Sequence, residues 1–385
     1  MSITPLDDRS LLGKLVGFDT TSSRSNREVI DFICNYLDLP GVTLDRFDAG
    51  EGKENLVAQV GGPAEPASGL TLSGHLDCVP PGDGWTGDAF DLQERNGLLY
   101  ARGSCDMKGF DALAINSMRA AADRELAHPL AMVLTCDEEI GGVGAAALVD
   151  VWPEGRVLPR DTIIGEPTML EVVRMHKGHM KFKLVQRGQS AHSGSPHLGR
   201  NATSNAGRVL GLLQQLGEDF QKVRTASSPS FADVPNPVLC VVGVDAGVAW
   251  NIVPEHCEIR CSMRVLPDQD PVEMIAQIEQ AMEGLLDDEQ HWSVEVFNDN
   301  PPLCTPREAA IHQELCQVMG QESCVGVSYC SDGGHLSRLG LDCVLWGPGS
   351  IEQAHMPDEF LAVDQFMEGR RLLDQVVDAR CGGGE

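Results

Sequence analysis

The amino-acid sequence predicts an α/β fold in which a mainly parallel-sheet domain is interrupted by a smaller α+β domain with an antiparallel sheet. Three observations support this prediction. Up to about residue 176, short apolar runs typical of buried strands alternate with stretches of helical periodicity. The pattern then changes to polar–apolar alternation, which is typical of half-exposed antiparallel strands. From about residue 300, helix and buried strand return.

The first predicted domain comprises residues 1–176 and 297–385, and its elements follow in chain order. Apolar residues at helical spacing predict a helix over 25–37, with Ser25 as N-cap and Glu28 completing a capping box. Strands and helices then alternate. They are a strand over 69–77, a helix over 106–126, a strand over 129–139, a helix over 141–150 and a strand over 160–168.

The second predicted domain covers residues 177–296 and contains two helices among about four strands. The predicted strands cover 179–194, 237–247, 256–267 and 291–299, and the helices cover 201–220 and 270–288. Cys257 and Cys261 lie four positions apart on one predicted strand and therefore share a face, which favours core packing over a metal site.

Composition excludes several classes of protein. The net charge of −28 argues against nucleic acid and anionic membrane surfaces as partners. Thirteen cysteines, an odd number in a chain of 385 residues, argue against a disulfide framework. No apolar run reaches the roughly 18 residues of a membrane-spanning helix. The first residues lack a basic and apolar leader, so we expect a cytoplasmic location.

Histidine and carboxylate side chains fall at the ends of several predicted strands and in one loop. They are His75 with Asp77, Asp106, the run Asp137–Glu139, Glu166 and His355. Ligands of an open α/β sheet bind beyond the carboxyl ends of its strands, where most of these side chains fall. Histidine and carboxylate without thiolate suit Zn²⁺, Co²⁺ or Mn²⁺. Each residue alone has an ordinary explanation, such as a helix cap for Asp106, but the combination predicts a metal site.

Six motifs resemble the M20 family of metallopeptidases and deacylases, and they occur in the family's order between residues 73 and 359. They are SGHLDCVPPGDGWTGDAF, ARGSCDMKGFDALA, CDEEIGGVGA, IIGEPT, AHSGSPHLGRNA and GPGSIEQAHMPDE. Within the family, RGSCDMKGF and RVLPD are most similar to the acetylornithine deacetylase branch.

The resemblance implies a dinuclear metal site. His75 and Glu166 would bind one divalent ion, Glu139 and His355 the other, and Asp106 would bridge them with its two oxygens. Zn²⁺ is the expected metal.

The resemblance also assigns catalytic roles near that site. Asp77 would orient His75 through the ring nitrogen that faces away from metal. Glu138 would act as general base, taking a proton from the attacking water and delivering it to the leaving amine. Asp137 receives no role, and we expect a solvated or capping carboxylate there.

The inserted domain would serve as a lid and as a homodimer interface in this family. His192 matches a lid histidine that stabilises the oxyanion, and Arg264 matches a residue that holds the substrate's α-carboxylate. Asn251 is a further candidate for the same pocket. YCSDGGHLSRLG departs from the deacetylases' usual run, and its Ser331 and Asp332 are candidates to line the substrate pocket.

We therefore predict metal-dependent hydrolysis of the amide bond of a small N-acyl amino acid. N²-acetyl-L-ornithine, cleaved to L-ornithine and acetate in arginine biosynthesis, is the leading substrate that the resemblance implies. Acetylcitrulline, another N-acetyl amino acid, N-succinyl-diaminopimelate and dipeptides remain alternatives. A non-catalytic binding protein of the same fold is a further alternative, but the presence of all five metal positions and of Glu138 argues against it.

Overall fold

The computed structural model describes residues 4–62, 68–285, 292–321 and 325–382. It confirms the predicted α/β class, with a large, mainly parallel sheet and a separate antiparallel sheet. The chain divides into two compact units. Unit 1 comprises Met1–Arg174, Cys304–Val325 and Ser331–Glu385, and unit 2 comprises Met175–Leu303 and Gly326–Cys330.

The helices and strands are numbered along the described part of the chain. Helices α1 to α9 are Asp8–Val16, Arg27–Tyr36, Lys108–Ala122, Val143–Asp150, Ala206–Phe220, Pro271–Glu283, Ala310–Met319, Gly333–Leu336 and Val363–Cys381. Strands β1 to β16 are Thr43–Gly50, Lys53–Val60, Leu70–His75, Gln93–Arg95, Leu98–Tyr100, Leu130–Thr135, Asp161–Ile164, Val173–His176, Gly178–Arg187, Val238–Ala246, His256–Val265, Trp292–Asn300, Leu303–Cys304, Val325–Val327, Asp342–Leu345 and Phe360–Ala362.

The large sheet of unit 1 runs in the order β1, β2, β6, β3, β7, β15. Strands β6, β3, β7 and β15 run parallel to one another, whereas β1 and β2 form an antiparallel hairpin whose strand β2 pairs antiparallel with β6. Every residue of β3, β6 and β7 is buried, which explains their continuous apolar runs. Because β3, β6 and β7 are parallel and adjacent, their carboxyl ends lie at the same edge of the sheet.

Helix α3 packs against these strands and brings its start close to the strand ends. Its buried side chains include Phe110, Leu113 and Ile115, which belong to the core of unit 1. Gly165 follows β7 directly, and a Cβ atom there would lie 1.9 Å from the Phe110 ring. Glycine therefore permits the close approach of strand end and helix that positions Glu166.

The predicted capping box at the start of α2 is wrong. The helix begins at Arg27, after Asn26, and the N-cap side chain makes no capping hydrogen bond. The Ser25 hydroxyl instead donates to the carbonyl oxygen of Gly52 at 2.6 Å. The same hydroxyl oxygen accepts the backbone N–H of Arg27 at 3.3 Å, so Ser25 contacts the start of the helix from one position before the N-cap.

Unit 2 contains an antiparallel sheet in the order β10, β11, β9, β12, with α5 and α6 contributing to its core. Alternate residues of β9, Met180, Phe182 and Leu184, are buried there, as are Cys257 and Cys261. Residues 286–288 of the predicted helix and residue 291 of the predicted strand lie outside the described residues.

Two further predictions concern the cysteines and the membrane. None of the cysteines in the described ranges forms a disulfide. Across those same ranges, we find no helix that combines the length and the apolar character needed to cross a bilayer.

Candidate metal centre

Several predicted ligands lie close together in unit 1, at or just beyond the ends of neighbouring strands. His75 is the last residue of β3 and pairs in register with Thr135, the last residue of β6. Glu166 follows β7 by two residues, and Asp106 precedes α3 by two. The sheet order therefore brings together side chains that are far apart in the sequence.

Two groups of potential metal ligands result, each with ligand atoms that lie within 4.8 Å of one another. One group is His75, Asp106 and Glu166, and the other is Asp106, Glu139 and His355. Asp106 Oδ1 lies 3.0 Å from His75 Nε2, whereas Asp106 Oδ2 lies 3.5 Å from His355 Nε2. His355 Nε2 also lies 2.8 Å from Glu139 Oε2. Asp106 thus belongs to both groups and turns a different oxygen to each histidine.

The electrostatics of the cluster favour a bound cation. Burial raises the pKa of Glu166, and the neighbouring Asp106 carboxylate raises it further. Burial also raises the pKa of Glu138, and the neighbouring Glu166 carboxylate raises it further. Glu166 Oε1 is buried and has no hydrogen-bond partner among the described residues. A buried acidic cluster with a free carboxylate oxygen, two imidazoles and no thiolate fits divalent ions such as Zn²⁺.

Asp77 holds the carboxylate-bearing turn after β6. Its Oδ1 accepts the backbone N–H of Glu138 at 3.1 Å, and its Oδ2 accepts that of Glu139 at 3.2 Å. His75 Nδ1 lies 3.0 Å from the main-chain oxygen of Asp77 but 3.7 Å from its carboxylate. The nearer Asp77 acceptor for the His75 ring is therefore the carbonyl, which differs from the side-chain contact that the sequence suggested.

The expectation of a solvated or capping carboxylate at Asp137 is wrong. The residue is only 8% exposed, and its carboxylate pairs with the Lys53 ammonium. Lys53 lies on β2, a strand of the hairpin that the sequence analysis did not predict. The three consecutive acids therefore have different surroundings, which resolves much of their mutual repulsion.

Glu359 is a structural residue that sequence reasoning missed, although it follows His355 closely in the AHMPDE motif. Its buried carboxylate pairs with Arg102 and accepts the backbone N–H groups of Gly103, Cys105 and Asp106 at 2.9 to 3.1 Å. The segment that leads to Asp106 is thus fastened to the segment that carries His355.

We expect Arg102→Met to lower the free energy of unfolding by about 3 to 5 kcal/mol, because it leaves the buried Glu359 carboxylate without its cation. Urea denaturation followed by circular dichroism measures the change in midpoint. Arg371→Met, which breaks an exposed pair with Glu368, is the control and should shift the midpoint little. Equal midpoints for the two variants would contradict the expectation.

Ser331 and Asp332 are both buried in unit 1, and neither side chain is exposed. The Ser331 hydroxyl accepts the backbone N–H of Gly333 at 3.1 Å. One Asp332 carboxylate oxygen accepts from the Thr135 hydroxyl, and the other lacks a hydrogen-bond partner within the described ranges. Burial raises the pKa of Asp332 to about 6, and the residue also raises the pKa of Glu138. Asp332 therefore belongs to the acidic cluster, a placement that its motif did not reveal.

The other predicted site residues belong to unit 2. His192 and Asn251 are exposed and lie on two segments that pair with each other, through His192 with Ile252 and the Ser193 N–H with the Asn251 carbonyl. Arg264 lies on β11 opposite His179 of β9, and its guanidinium contacts the Cys330 thiol at 3.4 Å.

Comparison with known proteins agrees with this architecture. Residues 71–379 match the model of peptidase family M20/M25/M40. An acetylornithine deacetylase of Myxococcus xanthus is 35% identical over 97% of this chain and 98% of its own length. A metallo-carboxypeptidase of the M20 family from Sulfolobus solfataricus has a TM-score of 0.75 at 17% identity, covering 97% of this chain and 99% of its own. A dinuclear metal binding peptidase of that family from Bacillus subtilis has a TM-score of 0.65 at 13% identity, covering 96% of each chain.

The match to the family model extends over most of the sequence, and a relative above 30% identity spans nearly the whole chain. The chain belongs to peptidase family M20/M25/M40. Within that family it is a hydrolase that acts on amide bonds.

Proposed function

We propose that this protein is a two-metal hydrolase that removes the acyl group from a small N-acyl amino acid. The observation that carries the proposal is the arrangement around Asp106, which belongs to two ligand groups, with Glu138 in neither of them. His75 and Glu166 would complete one site, and Glu139 and His355 the other. When bound, two divalent ions, preferably Zn²⁺, supply Lewis-acid polarisation of the scissile carbonyl and of a water molecule.

Glu138 is the proposed general base and then the general acid. Its carboxylate accepts a proton from the attacking water as the new carbon–oxygen bond forms. The same proton passes to the amide nitrogen as the carbon–nitrogen bond breaks, which releases the amine and the carboxylic acid. The second proton of the water leaves when this acid ionises to the carboxylate and is taken up by the amine or by solvent. Burial and the Glu166 carboxylate raise the pKa of Glu138, which favours holding that proton between the two steps. Asp77 fixes the backbone of the base through its two N–H acceptors.

N²-acetyl-L-ornithine is the proposed substrate, with L-ornithine and acetate as products in arginine biosynthesis. The support is the acetylornithine deacetylase of Myxococcus xanthus, which aligns with this chain almost end to end. Arg264 for the α-carboxylate, with Asn251 beside it, and His192 for the oxyanion stay predictions from the family motifs. Ser331 and Asp332 likewise stay candidates for substrate recognition, and the cytoplasmic location stays a prediction.

A panel assay of the Zn²⁺-loaded protein tests the substrate. N²-acetyl-L-ornithine, acetylcitrulline, N-succinyl-L,L-diaminopimelate and a dipeptide are compared by kcat/KM. We expect the acetylornithine value to exceed each of the others by at least about tenfold, because each of them changes the charged side chain or the acetyl group that the site would have to match. A higher value for any other member would replace acetylornithine as the substrate, while no turnover of the whole panel would contradict the proposed activity.

We further propose that residues 177–296 act as a lid and hold a homodimer together. The lid role stays a prediction from the family motifs, whereas an exposed apolar surface on unit 2 supports the homodimer. Val242 and Val244 of β10, which lies at the end of the described sheet, are 60% and 49% exposed, and Trp250 is fully exposed. Unpaired edge strands with apolar side chains are liable to associate.

Light scattering tests the assembly. We expect the mass of two chains for the native protein and of one chain for Val244→Lys, because a buried lysine charge opposes association. Val272→Lys, at an apolar residue of α6 that is 67% exposed, is the matched control and should remain dimeric. A native protein with the mass of one chain would refute the dimer.

A further inference from the structure

We propose that Lys53 is a positioning residue for the general base, acting through Asp137 to hold the turn that carries Glu138. The inference rests on the proposed function of Glu138 as general base. Lys53 belongs neither to the family motifs nor to the two groups of potential metal ligands. Lys53 lies on β2, at a distance of 84 positions along the chain from Asp137.

The Lys53 ammonium is withdrawn from solvent and committed to two acceptors. The side chains of Lys53 and Asp137 are 8% and 12% exposed. Lys53 Nζ donates to Asp137 Oδ1 and to the main-chain oxygen of Ser22. Since a buried ion pair requires such close partners to offset its desolvation, the geometry of this pair is tightly specified.

The turn that Lys53 holds has an unusual backbone. Asp137 has φ = +56°, in the left-handed region that residues other than glycine seldom adopt. The chain then folds back, because the carbonyl oxygen of Glu138 accepts the N–H groups of Gly141 at 2.8 Å and of Gly142 at 2.9 Å. Such a conformation persists when surrounding contacts determine it, and the Asp137 side chain provides one of those contacts.

The contacts close into a ring around the base. The Ser22 hydroxyl donates to Asp77 Oδ2 at 2.8 Å, and the Asp77 carboxylate accepts the N–H groups of Glu138 and Glu139. Lys53 binds Asp137 at one end of this ring and the Ser22 backbone at the other. The backbone of Glu138 is therefore fixed from both sides, by Asp77 directly and by Lys53 through Asp137.

This arrangement predicts an effect on turnover more than on substrate binding. A displacement of about 1 Å in a reacting group can reduce the rate about 100-fold. We therefore expect Lys53→Met to lower kcat about 10- to 100-fold on the best panel substrate while KM stays within about twofold. Both metals should remain bound, because the Lys53 ammonium donates to Asp137 and to the Ser22 backbone and not to a ligand side chain.

Amide hydrogen exchange of the metal-loaded, full-length protein provides the readout that does not depend on activity. Mass spectrometry of a peptide spanning residues 134–143 should show exchange about tenfold faster in Lys53→Met, because the turn opens more readily. Asp137→Asn weakens the same contact from its other side and should accelerate the same peptide to a smaller extent, which keeps the test decisive if Lys53→Met folds poorly. Lys183→Met, which breaks a half-buried pairing with Glu258 and Glu295 on unit 2, is the matched control.

A double variant separates positioning from charge burial. If the loss in Lys53→Met arises only from the unpaired Asp137 charge, Lys53→Met/Asp137→Asn should recover kcat; if Lys53 positions the turn, the double variant should remain as slow as the single one. Recovery would overturn the proposal, as would native exchange rates of the 134–143 peptide in both Lys53→Met and Asp137→Asn. The exchange result is independent of turnover, so it stands even where the panel assay contradicts the proposed activity.

Discussion

Glu138→Gln is expected to lower kcat by about 10²- to 10⁴-fold, the range that a positioned general acid–base supplies. Glutamine keeps the length and polarity of the side chain but accepts no proton at neutral pH. Metal content should remain at the native level, because Glu138 belongs to neither ligand group. Steady-state kinetics on the best panel substrate, with metal analysis of the same sample, measures both quantities.

Glu154→Gln, on an exposed loop of unit 1, is the control for the loss of one carboxylate from an acidic chain. It should retain native kcat. A Glu138→Gln enzyme with near-native turnover would remove Glu138 as the base. Loss of metal in that variant would instead assign Glu138 a ligand role.

Asp106→Asn is expected to weaken both metal sites at once. Asp106 offers one oxygen toward His75 and the other toward His355, and an amide cannot provide two anionic oxygens. Substitutions of residues that merely orient ligands typically cost about 10- to 100-fold in affinity, so loss of a shared ligand should cost at least about 100-fold at each site. Titration with Zn²⁺ in competition with a chelator measures both affinities.

Two further variants change residues that belong to only one of the two ligand groups, and they serve as comparisons for Asp106→Asn. Glu166→Gln changes only the group with His75, and Glu139→Gln only the group with His355. Each should leave one site near its native affinity and weaken the other, so the pattern differs from that of Asp106→Asn. An Asp106→Asn protein that binds two ions with native affinity would refute the shared ligand.

The fold class followed from periodicity, which is a local property of the chain. Continuous apolar runs predicted β3, β6 and β7, and these strands are buried along their whole length. The β1–β2 hairpin was not predicted, because β1 is largely exposed or half-buried and gives no strong pattern. Ser25 is not the N-cap because the helix begins at Arg27 after Asn26, one position later than the local pattern predicted.

The candidate ligands also followed from the sequence, since each stands at the end of a recognisable strand or in a motif. What the sequence could not give was their surroundings. Asp332 was predicted as a candidate for the substrate pocket, but its motif did not reveal that it is buried beside the acidic cluster. Glu359 looked unremarkable, yet it accepts three backbone N–H groups and pairs with Arg102 at a separation of 257 positions.

The sequence by itself determined the α/β class, the family motifs and the residue types that a metal-dependent hydrolase needs, because these depend on short-range patterns. Only the tertiary structure decided how Asp106 divides its oxygens and which groups surround each member of the Asp137–Glu139 run. Asp137 pairs with Lys53, Glu139 lies against His355, and Glu138 is held through its backbone by Asp77. These partners come from different strands and loops, and burial makes each pairing specific because an unpaired charge inside the protein is costly.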